Sequence, residues 1–150
     1  MASYSFLDCN VAIAGPGGAF SMGSDAGASE EGIVIEAADD KNIMTIGAGG
    51  QGMHSLVAGD SSTVTVNLLK TSPTNALLMA LYNYQSASSA TWGRNTIAVT
   101  DLARGDLITL EQVAFKKRTP LGYTKQGEKN VWTFDAIVTT AVLGVGTPEA

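Results

Sequence analysis

Ser61-Ser62-Thr63-Val64-Thr65-Val66-Asn67-Leu68-Leu69-Lys70 runs directly into Thr71-Ser72-Pro73-Thr74-Asn75-Ala76-Leu77-Leu78-Met79-Ala80-Leu81-Tyr82-Asn83-Tyr84-Gln85. The first half alternates with period two, which puts Val64, Val66 and Leu68 on one face of a strand and Thr63, Thr65 and Asn67 on the other. The second half has the 3.6-residue spacing of a helix. Ser72 and Pro73 stand at the switch, the serine as N-cap and the proline at the first helical position, where its missing N–H costs nothing. A helix over about residues 73–87 is expected, with Leu77, Leu81 and Tyr84 as its apolar stripe, widened by Leu78 and Tyr82. It should lie flat on a sheet.

Shorter strands surround this unit. Cys9 to Ile13 and Ala19 to Met22 flank a Gly15-Pro16-Gly17-Gly18 turn, and Ile33 to Glu36 and Ile43 to Ile46 flank a turn at Asp39 to Asn42. Residues 23–31 are small, polar and acidic and read as a surface loop, and Gly47 to Gly52 as a glycine loop. After the helix, Asn95 to Thr100 alternates. Residues 106–115 follow, with Leu107, Thr109, Glu111, Val113 and Phe115 on one face and Ile108, Leu110 and Ala114 on the other. Residues 131–142 put Trp132, Phe134, Ala136, Val138 and Val142 on one face and Thr133, Asp135, Ile137 and Thr139 on the other. About seven strands and one helix define a mainly β (α+β) domain, an antiparallel sandwich or barrel flanked by the helix. The 150 residues form a single domain, 1–150, ending in a flexible tail at 144–150.

Only 15% of residues are charged, against about 25% in ordinary soluble domains. Part of the surface is therefore expected to face something other than water. No apolar run reaches the ~18–20 residues of a spanning helix. The first eight residues have neither a basic start nor a long apolar run, so a chain kept in the cytoplasm is expected. A net charge of −5 argues against nucleic-acid binding through phosphate contacts. The charge is also unevenly spread: residues 1–69 hold eight acids and one base, residues 70–150 six acids and eight bases. Such asymmetry suits head-to-tail contact between copies, or is simply a solvated surface.

Motifs for chemistry are weak. Gly47-x-Gly49-x-x-Gly52 matches a dinucleotide fingerprint, but Met53 to Ala58 allows barely a turn where the phosphate-binding helix should begin. His54 is the single histidine and Cys9 the single cysteine, too few for a metal site or a disulfide. No nucleophile elbow accompanies His54. Cys9 has no neighbouring base to activate it and reads as a small buried hydrophobe. Glu30/Glu31 and Asp39/Asp40 read as solvated turns or as parts of a subunit interface or pore rim. Lys116-Lys117-Arg118 is too short for a nucleic-acid patch and fits an acidic neighbour.

Taken in order, Tyr4-Ser5-Phe6-Leu7-Asp8, the Gly15-Pro16-Gly17-Gly18 turn, Glu30-Glu31-Gly32-Ile33, Asp40-Lys41-Asn42 with Met44-Thr45-Ile46-Gly47, Leu69-Lys70-Thr71-Ser72-Pro73 and Ala114-Phe115-Lys116-Lys117 resemble the tail tube proteins of contractile-tailed, Mu-like bacteriophages and prophages. The resemblance covers nearly the whole chain. It implies a structural virion protein, assembled in the host cytoplasm, without enzymatic activity or cofactors. It also implies hexameric rings stacked head to tail into a hollow tube, with a sheath protein outside and baseplate and terminator proteins as further partners. DNA would pass through the lumen without specific binding. In that family an extended loop reaches the adjacent ring, here about residues 39–59.

On this reading Thr63, Thr65, Asn67, Thr133, Asp135 and Thr139 line the lumen, while Val64, Val66, Leu68, Trp132, Phe134 and Val138 pack under the helix. Asp39, Asp40, Lys41, Gln51 and His54, with Lys116, Lys117 and Arg118, make contacts between rings. The alternative is a monomeric ligand- or carbohydrate-binding β-sandwich module using Trp92 and Tyr82 or Tyr84 as a stacking platform.

Overall fold

The computed structural model describes residues 4–22 and 28–146. After a 3-10 turn at Phe6–Asp8 come β1 (Cys9–Gly15), β2 (Gly18–Ser21), β3 (Ala28–Ala37), β4 (Asn42–Ile46), β5 (Gly52–Leu56) and β6 (Ser62–Leu69). Helix α1 (Thr74–Gln85) follows, then β7 (Asn95–Asp101), β8 (Asp106–Lys117) and β9 (Lys129–Val142). Seven strands form one antiparallel sheet in the order β2-β1-β7-β8-β9-β6-β3, and β4 and β5 form a separate two-stranded hairpin. The mainly β architecture with one covering helix is as expected. The loop expected at 23–31 is not: residues 23–27 lie outside the described residues, and Ala28 onward already belongs to β3. The tail's last four residues, 147–150, lie outside them too.

β6 is the strand on which the sheet face and the helix meet. Val64, Val66 and Leu68 are fully buried, and Trp132 and Phe134 stand beside them on β9, where Val66 pairs with Trp132 and Val64 with Phe134. Val11, Ile13, Ile97, Leu110, Val113 and Phe115 from β1, β7 and β8 join the same cluster, which Leu78 and Leu81 cover from α1. Side chains of this size each gain about 1.5–3 kcal/mol on burial, so one continuous cluster is the main source of stability.

The helix starts one residue later than its sequence predicts, with Pro73 at φ −66° in the capping position, and ends at Gln85 rather than 87; the Thr74 N–H still donates to Ser72 Oγ at 3.2 Å. Its buried stripe is different. Thr74, Leu78, Leu81 and Gln85 face inward, whereas Leu77 and Tyr84 are 48% and 56% exposed. Two amides account for the rotation. At the first turn Asn75 accepts from Trp132 Nε1 at 3.1 Å and donates to the Leu69 carbonyl at 2.8 Å. At the last turn Gln85 and Asn95 are both fully buried and exchange hydrogen bonds of 2.7 and 2.8 Å, and Gln85 also donates to the Pro16 carbonyl. Left unpaired, a buried amide such as Gln85 costs roughly 1–3 kcal/mol, comparable with the gain from burying a leucine, so pairing the amides offsets leaving Leu77 exposed. Gly15 makes the clamp possible, because a Cβ there would sit 1.9 Å from Asn95 Oδ1.

Strand β8 departs from simple alternation at Gln112, whose φ of +54° lies in the left-handed region. The β7 register shifts at the same place, from Ile97 opposite Leu110 to Asn95 opposite Val113, which is a β-bulge. The bulge changes the strand's phase. Leu110 is buried before it and Val113 and Phe115 after it, so Leu107 and Thr109 do not share a face with Val113 and Phe115. β9 follows the change. Val138 and Val142, expected in the core, are exposed, and Thr139 lies opposite buried Leu110 and donates to Ser62 Oγ at 2.8 Å.

At the opposite end of β7, the Asp101 carboxylate accepts from Arg104 at 2.9 Å and from the backbone N–H groups of Ala103 and Arg104. Desolvation opposes ionisation there, but the hydrogen bonds and charge of Arg104 prevail and hold the carboxyl below its ordinary value. Cys9 pairs with Asp101 across the ladder, and burial together with that carboxylate pushes its thiol up.

Two measurements test this account. In a double-mutant cycle, Gln85→Leu and Asn95→Leu should each cost roughly 2–3 kcal/mol by stranding the partner amide, and the double variant distinctly less than their sum. Asp101 is more acidic folded than unfolded, so its contribution is present above about pH 4 and is lost as pH falls through the folded value. Denaturation of Asp101→Asn should show reduced stability at neutral pH and a gap from the parent that closes in acid.

Candidate assembly interface

Three surfaces carry the residues singled out by sequence. The first is the outward face of β3, β6, β9 and β8. Across it run two rows set by ladder register: Glu36, Thr63, Asp135 and Ala114, then Val34, Thr65, Thr133 and Lys117. Opposed residues in a ladder share a face, so the structure joins Thr63 with Asp135 and Thr65 with Thr133 in adjacent pairs. It also adds Glu36 and Lys117, which the strand-by-strand reading did not associate with them. Two expected members are absent. Asn67 is only 5% exposed, with its Nδ2 donating to the Gly32 carbonyl at 3.1 Å, and Thr139 is turned toward Ser62 by the phase change.

The second surface is the β4–β5 hairpin, where an extended loop at 39–59 was expected. Ile46 pairs with Gly52, Met44 with His54 and Asn42 with Leu56 on one face; Thr45 pairs with Met53 and Ile43 with Ser55 on the other. Both faces therefore carry large apolar side chains, and Ile43, Met44, Ile46, Met53 and Leu56 are all exposed. The glycine run forms the tip, where the Gly47 N–H donates to the Gln51 carbonyl at 2.7 Å. A strand follows the glycines, so the dinucleotide pattern has no helix to serve it. His54 is engaged across the hairpin, its Nδ1 3.1 Å from Asn42 Nδ2.

The hairpin's root is polar and ordered. Lys41 Nζ lies 2.9 Å from Asp60 Oδ1 and donates to the Gly59 carbonyl, while Ser61 Oγ donates to Asp39 Oδ2 at 3.2 Å. These groups enclose a cleft of about 200 Å³ that also takes in Thr139. Lys41 and Asp39 thus join the two legs of the hairpin at its root, and Asp40 stays exposed at the turn. Lys116, Lys117 and Arg118, the third surface, are exposed at the end of β8, with Lys117 opposite Thr133 rather than beside the hairpin root.

Of the stacking platform of the ligand-binding alternative, Trp92 and Tyr82 are engaged internally, while Tyr84 is 56% exposed on the helix. Trp92 is half-buried and packs on Tyr82 and Phe115, with ring centroids 6.1 and 6.4 Å away, and Tyr82 stands edge-on to Phe115 at 5.5 Å. Among the described residues no group of three or more His, Cys, Asp or Glu side chains is arranged to hold a metal ion, and no helix is long and apolar enough to cross a membrane.

A mainly β subunit with an uncovered apolar hairpin and a charge-poor surface belongs to the class of proteins built to assemble. Comparison with known proteins makes this specific. Over residues 1–144 the chain matches the bacteriophage PhiTE tail tube protein family, and it belongs to that family. No curated protein matches it. Among solved structures its fold is similar to the anti-feeding prophage cap, a tube-terminating cap determined by cryo-electron microscopy. That likeness has a TM-score of 0.52 at 12% identity and covers 89% of this chain and 88% of that one. The protein's role is that of a structural component of a phage tail.

The exposed Lys41–Asp60 pair should contribute under about 1 kcal/mol to global stability. Lys41→Ala is accordingly expected to leave the unfolding midpoint nearly unchanged while accelerating hydrogen exchange in β4 and β5, whose legs it joins at the root.

Proposed function

We propose that this protein forms hexameric rings that stack head to tail into the hollow inner tube of a contractile phage tail, the conduit for DNA during ejection. One observation carries this reading: β4–β5 presents large apolar side chains on both faces and buries neither against its own chain. An isolated two-stranded hairpin is marginal in water, and exposed apolar strands invite association. Such an element is stable only when neighbours cover it. In this reading the hairpin, with Asp39, Asp40, Lys41, Gln51 and His54, makes contacts between rings.

The outward face of β6 and β9 suits the tube wall facing DNA. Thr63, Thr65 and Thr133 offer short side chains, and the two acids Glu36 and Asp135 outnumber the one base, Lys117, on the same rows, leaving the face net negative on a chain that is already acidic. A lumen that repels phosphate lets DNA slide, whereas a basic lumen would hold it through counterion release. The family and the mainly β architecture fit a non-enzymatic component of the virion, assembled in the host cytoplasm. Sheath, baseplate and terminator proteins are its further partners.

Negative-stain electron microscopy of the purified protein tests the proposal directly. Six-fold rings or hollow tubes are expected, and a persistent monomer at high concentration would overturn it in favour of a ligand-binding module. Reversing Lys116, Lys117 and Arg118 to glutamate together is expected to impair polymerisation with the circular dichroism spectrum intact, and unaltered assembly would remove these bases from the ring contact.

A further inference from the structure

A second apolar surface lies between α1 and the β1–β2 turn. A groove of about 530 Å³ is lined by Gly17, Phe20, Leu77, Ala80, Leu81 and Tyr84. Its floor is tightly built, since a Cβ on Gly17 would stand 2.8 Å from Tyr84 Cδ1. Leu77 and Tyr84 are the residues that the amide clamps turned outward. Throughout its twelve residues α1 has no Asp, Glu, Lys or Arg, although an outer helix face that meets water ordinarily carries them.

We propose that this groove receives the β4–β5 hairpin of a second copy. The inference rests on the assembly reading above and names the surface that the hairpin meets. Three observations carry it. From Asn42 to Leu56 the hairpin also contains no Asp, Glu, Lys or Arg, so hairpin and groove are both charge-free surfaces on a chain of net charge −5. Copies with that charge repel one another, and they approach at least cost where neither side bears charge.

Topology supplies the second observation. The hairpin continues from β3, one edge of the seven-stranded sheet, and the groove is built on β2, the other edge. Donor and acceptor therefore belong to different patches, and their contact is heterologous: it repeats from copy to copy and closes into a ring or extends as a filament. The third is the exposure of the hairpin, with Leu56 83% accessible, which shows that a chain does not fill its own groove. Because the hairpin is apolar on two faces, one can enter the groove while the other remains for a further neighbour.

Cross-linking between differently labelled copies tests this. In a Cys9→Ser background, Met53→Cys and Leu77→Cys are made in separate chains, mixed, assembled and oxidised. A disulfide-linked dimer is expected from the mixture and not from either chain alone. Stacked rings that form without this cross-link, or Met53→Cys chains that link only to each other, would overturn the docking and leave the assembly reading intact. A chain that never forms rings would instead overturn the assembly reading, and the docking with it.

A Leu77→Lys/Tyr84→Lys variant with an unchanged circular dichroism spectrum should raise the concentration needed for assembly by at least about tenfold. Unchanged assembly would overturn the proposal. Lost assembly without the Met53–Leu77 cross-link would assign the groove to a different occupant and likewise overturn it.

Discussion

The reciprocal hydrogen bonds between Gln85 and Asn95, buried where α1 ends and β7 begins, constrain more of this molecule than any single apolar contact. They set the helix rotation at one end, as Asn75 does at the other through Trp132 and the Leu69 carbonyl. Once the amides face inward, Leu78 and Leu81 close the core and Leu77 and Tyr84 are left outside. A buried polar network is stabilising only when complete, and this one also requires a glycine at position 15 and the carbonyl of Pro16. Helix rotation, the tight β1–β2 turn and the outer apolar groove are thus consequences of one polar arrangement.

A second constraint acts on the sheet's far side. The bulge at Gln112 stores backbone strain and re-phases β8, and β9 follows its partner. Without that change, Val138 and Val142 would continue the core and Thr139 would extend the polar outer face. With it, Thr139 is drawn to Ser62 at the hairpin root, and the outward polar surface is confined to the rows through Thr63 and Thr65. The root in turn holds a hairpin that has no core of its own. A stable sheet therefore displays an element that finds no burial within its own chain.

Much of this was legible in the chain. The alternation of Val64, Val66 and Leu68, the Ser72-Pro73 helix start and the pairing of Trp132 and Phe134 with the same core follow from local periodicity, which depends only on backbone geometry. The string of short motifs from Tyr4 to Lys117 also pointed to the tail tube family, which the match over residues 1–144 bears out. The candidate surfaces were less legible. Asn67 was placed by alternation on an open face, yet the carbonyl of Gly32, 35 residues earlier, takes its amide and buries it. Met53 to Leu56, too short and weakly patterned to read alone, became a strand by pairing with β4.

By itself, then, the sequence determined the mainly β class, the helix and its cap, the inward faces of β6 and the first half of β9, and the shortage of charge that marks an assembling protein. These depend on neighbours in the chain, and their physics is local. Tertiary structure decided the rotation of α1, the phase of β8 and β9 past Gln112, and the separation of β4–β5 from the main sheet. Each of these turns on partners beyond the segment itself: an amide meeting an amide, a bulge meeting the strand beside it, β4 and β5 pairing with each other instead of with the sheet. Which of two adjacent residues faces inward is settled by the cost of leaving a distant polar group unpaired, and no periodicity within one segment contains that cost.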